Sequence, residues 1–364
     1  MTARWTGPLV RWYDRSHRSL PWRDDPRPYR VWVGEVMSQQ TNLAVAVPRF
    51  EAFVERLPDV AALARCSDET LERLWAGLGY YARARHLVRG ARIVVDELDG
   101  RLPRTYEGWL RIPGCGPYTA AMLASVCHGE RVPAVDGNVI RVWSRLNAVT
   151  GDPRRGAVQR AMRDDLARRV RRVRRPGDLN QALMELGQRI CTRARPACER
   201  CPVRASCAAR ERGTVHLCPP PRPRLPVRAV ELDVVVALDL RETRLLVGLR
   251  TGGFLAGTVG FALLDPGESA VRRLDEARGV SVETLDGGFR HVITHHRIRG
   301  RVSVLRTLGT SGRASARRLG GLLGLTAARW IDRSSAVERL GTSLDRKALH
   351  LYRSTAGTRP SGSS

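Results

Sequence analysis

The chain has 364 residues, with 62 Lys+Arg against 36 Asp+Glu and a formal charge of +26. Such an excess of base excludes an ordinary neutral enzyme surface and points to a polyanionic partner, nucleic acid before an anionic membrane face. Only Lys347 among the basic residues is lysine, so any mechanism that needs a lysine amine in the first 346 residues is excluded.

The length predicts two domains, and a hydrophobic fraction of 43% supplies their cores. No run of eighteen or more apolar residues is present, so no membrane span is expected. Met1 to Leu20 mixes Arg, Asp, His and Trp and lacks the apolar region of a signal peptide. A cytoplasmic, nucleoid-associated protein is expected. Its eight cysteines then argue for metal or chemistry before disulfides.

In chain order, residues 1–210 read as mainly α. Apolar residues recur at helical spacing from Pro28 to Leu57, with Pro48 as a helix boundary, and again from Leu71 to Leu98. Within the first of these lies Glu35. On a helix, Glu35, Gln39 and Asn42 would share a face. Flanked by Trp32, Val36 and Met37, the Glu35 carboxyl would have a raised pKa and could act as an acid near neutrality.

Leu110-Arg111-Ile112-Pro113-Gly114-Cys115-Gly116-Pro117-Tyr118 reads as helix, tight glycine turn, helix. Gly114 and Gly116 allow a sharp turn and close approach to another chain. The amides opening the next helix would face an anion such as a DNA phosphate. Pro117 suits the first turn of a short helix to Cys127. Asp136, in Pro133-Ala134-Val135-Asp136-Gly137-Asn138-Val139, is either a second catalytic carboxylate or a cap for the helix starting near Asn138. Six arginines in the eight positions from Arg168 to Arg175 either hug a phosphate backbone or form a solvated helix end. Gly177-Asp178 offers a cap for a helix with the apolar stripe Leu179, Leu183, Leu186 and Ile190, and a polar stripe of Gln181, Glu185 and Gln188.

Cys191, Cys198, Cys201 and Cys207 give C-x6-C-x2-C-x5-C. Four thiolates in so short a loop suit zinc or an iron–sulfur cluster, and the spacing alone does not choose between them. Arg193, Arg195, Arg200 and Arg204 are interleaved with them as a candidate phosphate clamp. Cys66, Cys115, Cys127 and Cys218 are scattered and read as structural. Residues 211–228 include Pro219, Pro220, Pro221, Pro223 and Pro226 and read as a stiff connector. The β-branched runs Val230–Leu240, Leu245–Leu249 and His291–Leu305 predict an α+β domain over 229–353. A disordered Ser/Gly-rich tail is expected over 354–364.

Taken in order, several segments resemble the helix-hairpin-helix DNA glycosylases of the endonuclease III superfamily, and most closely the adenine glycosylases of the MutY family. They are Leu20-Pro21-Trp22-Arg23, Glu35-Val36-Met37-Ser38-Gln39-Gln40-Thr41, Gly77-Leu78-Gly79-Tyr80-Tyr81-Ala82-Arg83-Ala84-Arg85, the glycine hairpin, Val135-Asp136-Gly137-Asn138-Val139, Asn180-Gln181-Ala182-Leu183-Met184-Glu185-Leu186-Gly187 and the four cysteines. The resemblance implies a base-excision-repair enzyme that flips out and hydrolytically removes adenine mispaired with 8-oxoguanine or guanine. It implies a [4Fe-4S] cluster on Cys191, Cys198, Cys201 and Cys207 of the 191–207 loop. Glu35 would protonate the adenine, Asp136 would stabilise the sugar cation, Tyr118 would sit beside Glu35, and Asn138 would orient the catalytic groups. Trp22, Arg23 and Glu185 would wall the adenine pocket. Gln39, Gln40 and Tyr80 would fill or wedge the gap in the duplex, with Gly114 and Gly116 on the phosphates.

In the superfamily's strand-cleaving members a lysine occupies the position of Tyr118 and forms a Schiff base. Its absence here implies a monofunctional glycosylase. The second domain is similar to the family's Nudix-like domain, which reads the opposite 8-oxoguanine. Arg272 to Val280 is similar to a Nudix box, but Arg273 and Ala277 replace two metal-binding carboxylates. Ile293-Thr294-His295 aligns with a Phe-Ser-His lesion-reading loop, with a register through His296 as the alternative, so Thr294 and His295 are its expected readers and Ile293 lacks the aromatic ring. The implied partner is double-stranded DNA containing A:8-oxoG or A:G, bound by a monomer, with affinity falling steeply in salt. Two alternatives use the same motifs: a thymine-mismatch glycosylase, and a non-catalytic iron–sulfur DNA-binding protein. The second domain speaks against the first, and retention of both Glu35 and Asp136 against the second.

Overall fold

The computed structural model describes residues 5–221, 226–265, 280–293, 295–307, 312–340 and 342–356. Over these residues the chain divides into two compact units. Met1–Ser67 and Arg83–Pro223 form the first, and Asp68–Ala82 and Arg224–Ser364 the second.

The first unit is helical: α1 (Thr6–Ser16), α2 (Pro21–Asp24), α3 (Pro28–Ser38), α4 (Leu43–Arg56) and α5 (Val60–Ala64) precede α6 (Asp68–Trp75), which belongs to the second unit. Then come α7 (Ala82–Glu97), α8 (Tyr106–Leu110), α9 (Pro117–His128), α10 (Gly137–Leu146), α11 (Gly156–Arg172), α12 (Pro176–Arg189) and α13 (Ala208–Glu211). Local chemistry sets several ends. Pro117 occupies the first turn of α9, and Gly129 closes it in the left-handed conformation at φ 69°. Asn42 caps α4 by accepting from the Ala44 N–H, and Asp136 caps α10. Leu179, Leu183 and Leu186 of α12, with Ile190 just past its end, share a buried cluster with Trp5 and Leu9 at the start of the chain and in α1 and with Val139 and Val142 of α10. Each such side chain contributes about 1.5–3 kcal/mol.

The second unit is α+β. Its strands are β1 (Arg228–Leu238), β2 (Arg244–Arg250), β3 (Val259–Gly260), β4 (Ala262–Leu264), β5 (Val280–Thr284), β6 (Phe289–Ile293), β7 (His296–Thr307) and β8 (Leu325–Asp332). The helices α14 (Arg313–Leu322), α15 (Ala336–Arg339) and α16 (Ser343–Ala356) complete it. The sheet runs β3-β2-β1-β7-β5, with β4 on β1, β6 on β7 and β8 on β2. β1 and β7 pair in parallel from Arg228↔His296 to Leu238↔Arg306, and the other pairs are antiparallel. β1 is covered on both faces, which explains its near-continuous apolar run. Leu232, Val234 and Val236 pack with Leu344, Ala348 and Tyr352 of α16. Val235 and Ala237 pack with Ala316 and Leu319 of α14.

Several sequence expectations differ from the structure. Pro48 lies inside α4, not at a boundary; burial of Ala46, Phe50, Phe53 and Val54 outweighs the roughly 3 kcal/mol cost of an interior proline. The boundary falls at residues 39–42 instead, so Gln39 and Asn42 do not share a helix face with Glu35. The stretch Leu71 to Leu98 is two helices, α6 and α7. α12 opens with Pro176 in its first turn after Arg175, without a Gly177-Asp178 cap. Gly177 serves close packing, since a Cβ there would lie 2.7 Å from the Val126 Cα. The connector's start is tied down: the Cys218 and Pro220 carbonyls accept from Arg145 and Arg154. Segment 68–82 joins the second unit, where Glu72 pairs with Arg329 of β8 at 2.6 Å. The end of α16 includes residues 354–356, and the rest of the expected tail lies outside the described residues, as does the stretch 272–279.

Candidate active site and cysteine loop

Glu35 sits on α3, 8% exposed, on the apolar helix that its flanking residues predict. Gly34 beside it makes room for Trp22, whose ring would lie 2.3 Å from a Cβ at that position. The Tyr118 hydroxyl, from the first turn of α9, donates to Glu35 Oε2 at 3.0 Å and touches Met184 Sδ at 2.7 Å. Burial raises the Glu35 pKa above its usual 4.5, against the Tyr118 hydrogen bond and the Arg23 charge, while Asp136 pushes it higher. Burial likewise pushes the Tyr118 phenol up, so it stays a donor.

Asp136 is the cap of α10 and more. Its Oδ1 accepts from the Asn138 and Val139 amides at 2.9 and 2.8 Å, and its Oδ2 from Asn138 Nδ2 at 2.8 Å. Asn138 Oδ1 in turn accepts from Arg141 at 2.8 Å. Arg141 also donates to the Gly187 and Cys191 carbonyls, at 2.8 and 2.7 Å. A chain of hydrogen bonds thus runs from the second carboxylate to the start of the cysteine loop. The arrangement fixes the carboxylate's orientation through two turns of α10.

Glu185 on α12 is fully buried, and Gln181 one turn before it is also buried. The predicted polar stripe therefore points inward at this end of the helix. Arg18 forks onto the Glu185 carboxylate at 2.7 and 2.9 Å, and Arg23 adds a third bond at 3.0 Å. Burial opposes ionisation, but these arginines outweigh it and hold the carboxyl at about 2. Trp22 is buried and packs against Phe50 at 5.0 Å between ring centroids.

Gln39 ends α3 and donates to Thr119 Oγ1 at 3.1 Å. Gln40 is exposed and left-handed, at φ 56°. In the turn 114–116, Gly114 has φ 83°, and a Cβ there would lie 2.8 Å from His86 Cβ. Glycine is required at that point. Gly116 is extended and opens α9. In the second unit Tyr80 is 54% exposed at φ 47°. Also there, Ile293 pairs with His296 across the β6–β7 connection. His295 lies on the His296 ring at 4.0 Å, and Phe254 meets His296 edge-on at 5.4 Å. Thr294 lies outside the described residues.

Cys191, Cys198, Cys201 and Cys207 are free thiols that line one pocket with Arg145, Arg204 and Arg210. Arg145 is buried, and its guanidinium donates to Cys191 Sγ at 3.3 Å and to the Thr192 carbonyl at 2.7 Å. Among the described residues, no set of three His, Cys, Asp or Glu side chains could hold a metal ion as they stand. Arg193, Arg195, Arg200 and Arg204 are exposed around them.

Sequence reasoning missed Arg18, Arg141, Arg145 and Met184. Arg141 was within reach, since it lies one turn from Asn138 on a capped helix. Arg18 carried no local signal, because its partner is 167 positions away.

Residues 33–168 match the family model of the HhH-GPD superfamily base excision DNA repair protein. That match lies mostly within the helical unit. An adenine DNA glycosylase of Homo sapiens is 45% identical over 215 residues, covering 57% of this chain and 39% of that protein. One of Buchnera aphidicola subsp. Schizaphis graminum is 30% identical over 202 residues, covering 55% of this chain and 58% of that protein. The chain thus spans between two fifths and three fifths of the length of these relatives. A thermostable thymine-DNA glycosylase has the same fold over 57% of this chain and 95% of its own, at 23% identity and a TM-score of 0.51. No helix among the described residues is long and apolar enough to cross a membrane.

Proposed function

We propose that this HhH-GPD protein is a monofunctional adenine DNA glycosylase acting on A:8-oxoG and A:G mispairs in duplex DNA. The observation that carries the reading is the buried Glu35 carboxyl, pushed toward its protonated form and held by a single hydroxyl donor from Tyr118. The likeness to adenine DNA glycosylases named above supports the choice of base.

The target nucleotide leaves the stack, because its glycosidic bond is out of reach inside the duplex. Trp22, Arg23 and Glu185 wall the pocket that receives the adenine. Glu35 gives its proton to adenine N7, the C1′–N9 bond breaks, and the base departs neutral. Asp136, held by three N–H donors, faces the sugar cation that is left. Water then adds to C1′, and its proton returns to the Glu35 carboxylate. Tyr118 orients Glu35 throughout. Where a strand-cleaving enzyme would need an amine, this chain has a phenol. Its one lysine, Lys347, donates to the Arg290 carbonyl at 2.8 Å in the other unit.

Cys191, Cys198, Cys201 and Cys207 would hold a [4Fe-4S] cluster, and Arg145 supplies the positive charge that thiolates require. When bound, the cluster would crosslink the loop and keep its exposed arginines in a fixed array for phosphates. Gln39, Gln40 and Tyr80 fill the vacated stack, and the 114–116 turn grips the backbone. His295, with Thr294, reads the opposite base.

The test is base release from A:8-oxoG, A:G and T:G duplexes, with and without alkali. Strand breaks at A:8-oxoG and A:G that appear only after alkali are the expected result. Cleavage confined to T:G would overturn the choice of base, and breaks without alkali would overturn the monofunctional assignment.

A further inference from the structure

Arg83 lies in the first turn of α7, which holds no acidic residue. A cation at that end opposes its own helix dipole. Its guanidinium is turned to another helix. Nη1 donates to the carbonyls of Val36, Met37 and Gln39 at 2.7, 3.0 and 2.6 Å, and Nη2 to Thr41 Oγ1 at 3.1 Å. These groups are the C-terminal end of α3 and the loop that follows. α3 has no basic residue in its last turn and no glycine at its cap. Of its final carbonyls, that of Glu35 accepts from the Ser38 hydroxyl at 3.1 Å and that of Ser38 from the Thr41 amide at 3.3 Å, while those of Val36 and Met37 are taken by Arg83. Thr41 passes the tie back to the Gln39 carbonyl at 3.2 Å. Between them Gln40 is held exposed in a left-handed conformation that a non-glycine residue adopts only when its surroundings impose it.

Building on the glycosylase reading, we infer that Arg83 is a positioning residue for base flipping. It caps the helix that carries Glu35 and locks the 39–41 loop so that Gln40 projects toward the duplex. Gln39 is anchored on its other side by Thr119, next to Tyr118. Arg83 thus sets the spacing between the acid and the side chain that replaces the flipped base, touching neither substrate nor reacting atoms.

The experiment uses the full chain and a duplex with 2-aminopurine as the target base. It reads the fluorescence rise on flipping, single-turnover adenine release from the matching adenine duplex, the pH profile and the unfolding midpoint. Arg83→Ala should lower the flipping signal and the release rate at least about tenfold, because a small misplacement is costly in a preorganised site. The Glu35-dependent pH limb should stay in place. Gln40→Ala should lower both readings, and the double variant should fall no further than the worse single, since both act through one loop. Arg83→Lys should recover part of the signal. Should Arg83→Ala fail to fold, Thr41→Val removes the Nη2 bond and the Thr41 bond to the Gln39 carbonyl while leaving the Nη1 cap of α3, and should still lower the flipping signal. Additive losses, or an unchanged flipping signal in Arg83→Ala or in Thr41→Val, would overturn the inference. A wild type that flips 2-aminopurine yet releases no adenine would sink the glycosylase reading and leave the Arg83 measurement standing.

Discussion

Two glutamates in the helical unit are both buried and are driven opposite ways. Glu35 meets one phenol, and burial pushes its carboxyl up. Glu185 meets the Arg18 fork and a bond from Arg23, and its carboxyl is held at about 2. Burial alone would raise both. The difference lies in the charge of the donor: a neutral hydroxyl leaves desolvation in command, while guanidinium groups overrule it. The same side-chain type thereby supplies a carboxyl pushed toward its protonated form and a carboxylate held ionised.

The sharpest way to break this contrast is Glu35→Gln. If Glu35 is the proton donor, single-turnover adenine release should fall by about a hundred- to ten-thousandfold. The same change should stabilise the fold, with a definite pH dependence. The unfolded carboxyl titrates near 4.5, and the folded one higher. Below 4.5 both states are protonated, and wild type carries no penalty. As pH rises from there, the unfolded chain releases its proton first, and the folded state loses stability until the pH passes the folded pKa. The unfolding midpoint of Glu35→Gln should therefore match wild type near pH 4 and exceed it near pH 8. A pH-independent difference would mean that Glu35 is not held protonated.

Arg23→Ala attacks the other half. It leaves Glu185 with Arg18, whose side chain is itself a third exposed, and a longer contact to Arg189 at 3.5 Å. The expected cost is about 1–3 kcal/mol at neutral pH, read from denaturant unfolding. Here the sign is reversed. The Glu185 clamp stabilises fully above the unfolded pKa near 4.5, and its contribution drains away as pH falls through about 2. The gap between variant and wild type should accordingly narrow in acid. A gap that widened in acid would show that Arg23 acts elsewhere.

Half of this contrast was legible in the sequence. Glu35 among Trp32, Val36 and Met37 announces a buried carboxyl, and Asp136 before Gly137 announces a cap. The glycine turn and the cysteine spacing are equally local. The arginine clamp was not legible, because Arg18 and Glu185 meet only after α1 and α12 pack. The same reason hid the helix break after Ser38. A capped α3 looks continuous with Gln39 and Asn42 until Arg83, more than forty residues on, takes its carbonyls. In the second unit the sheet was visible from β-branched runs, but the parallel β1–β7 pairing was not, since strand neighbours are set by topology.

Gly34→Ala tests the packing that surrounds the Glu35 carboxyl without touching its hydrogen bond. Its new Cβ would lie 2.3 Å from the Trp22 ring. The backbone or the indole must shift, at a cost of about 1–3 kcal/mol in unfolding free energy. Because Trp22 also walls the proposed pocket, adenine release should weaken with it. Unchanged stability would show that Trp22 moves freely at this contact.

Tyr118→Phe is the finest probe of the comparison, because it removes the hydroxyl that bonds the Glu35 carboxyl and keeps the ring. The lost hydrogen bond is a force that lowers the Glu35 pKa, so that pKa should rise further. Activity that requires the protonated acid should then persist to higher pH, and its alkaline limb should move up. The rate at the optimum should fall by only about three- to tenfold, the worth of one neutral hydrogen bond that orients the acid. A limb that moved down would mean that Tyr118 favours the neutral carboxyl. Glu35 would then owe its protonation to a donor as well as to burial, and the contrast with Glu185 would need a second cause.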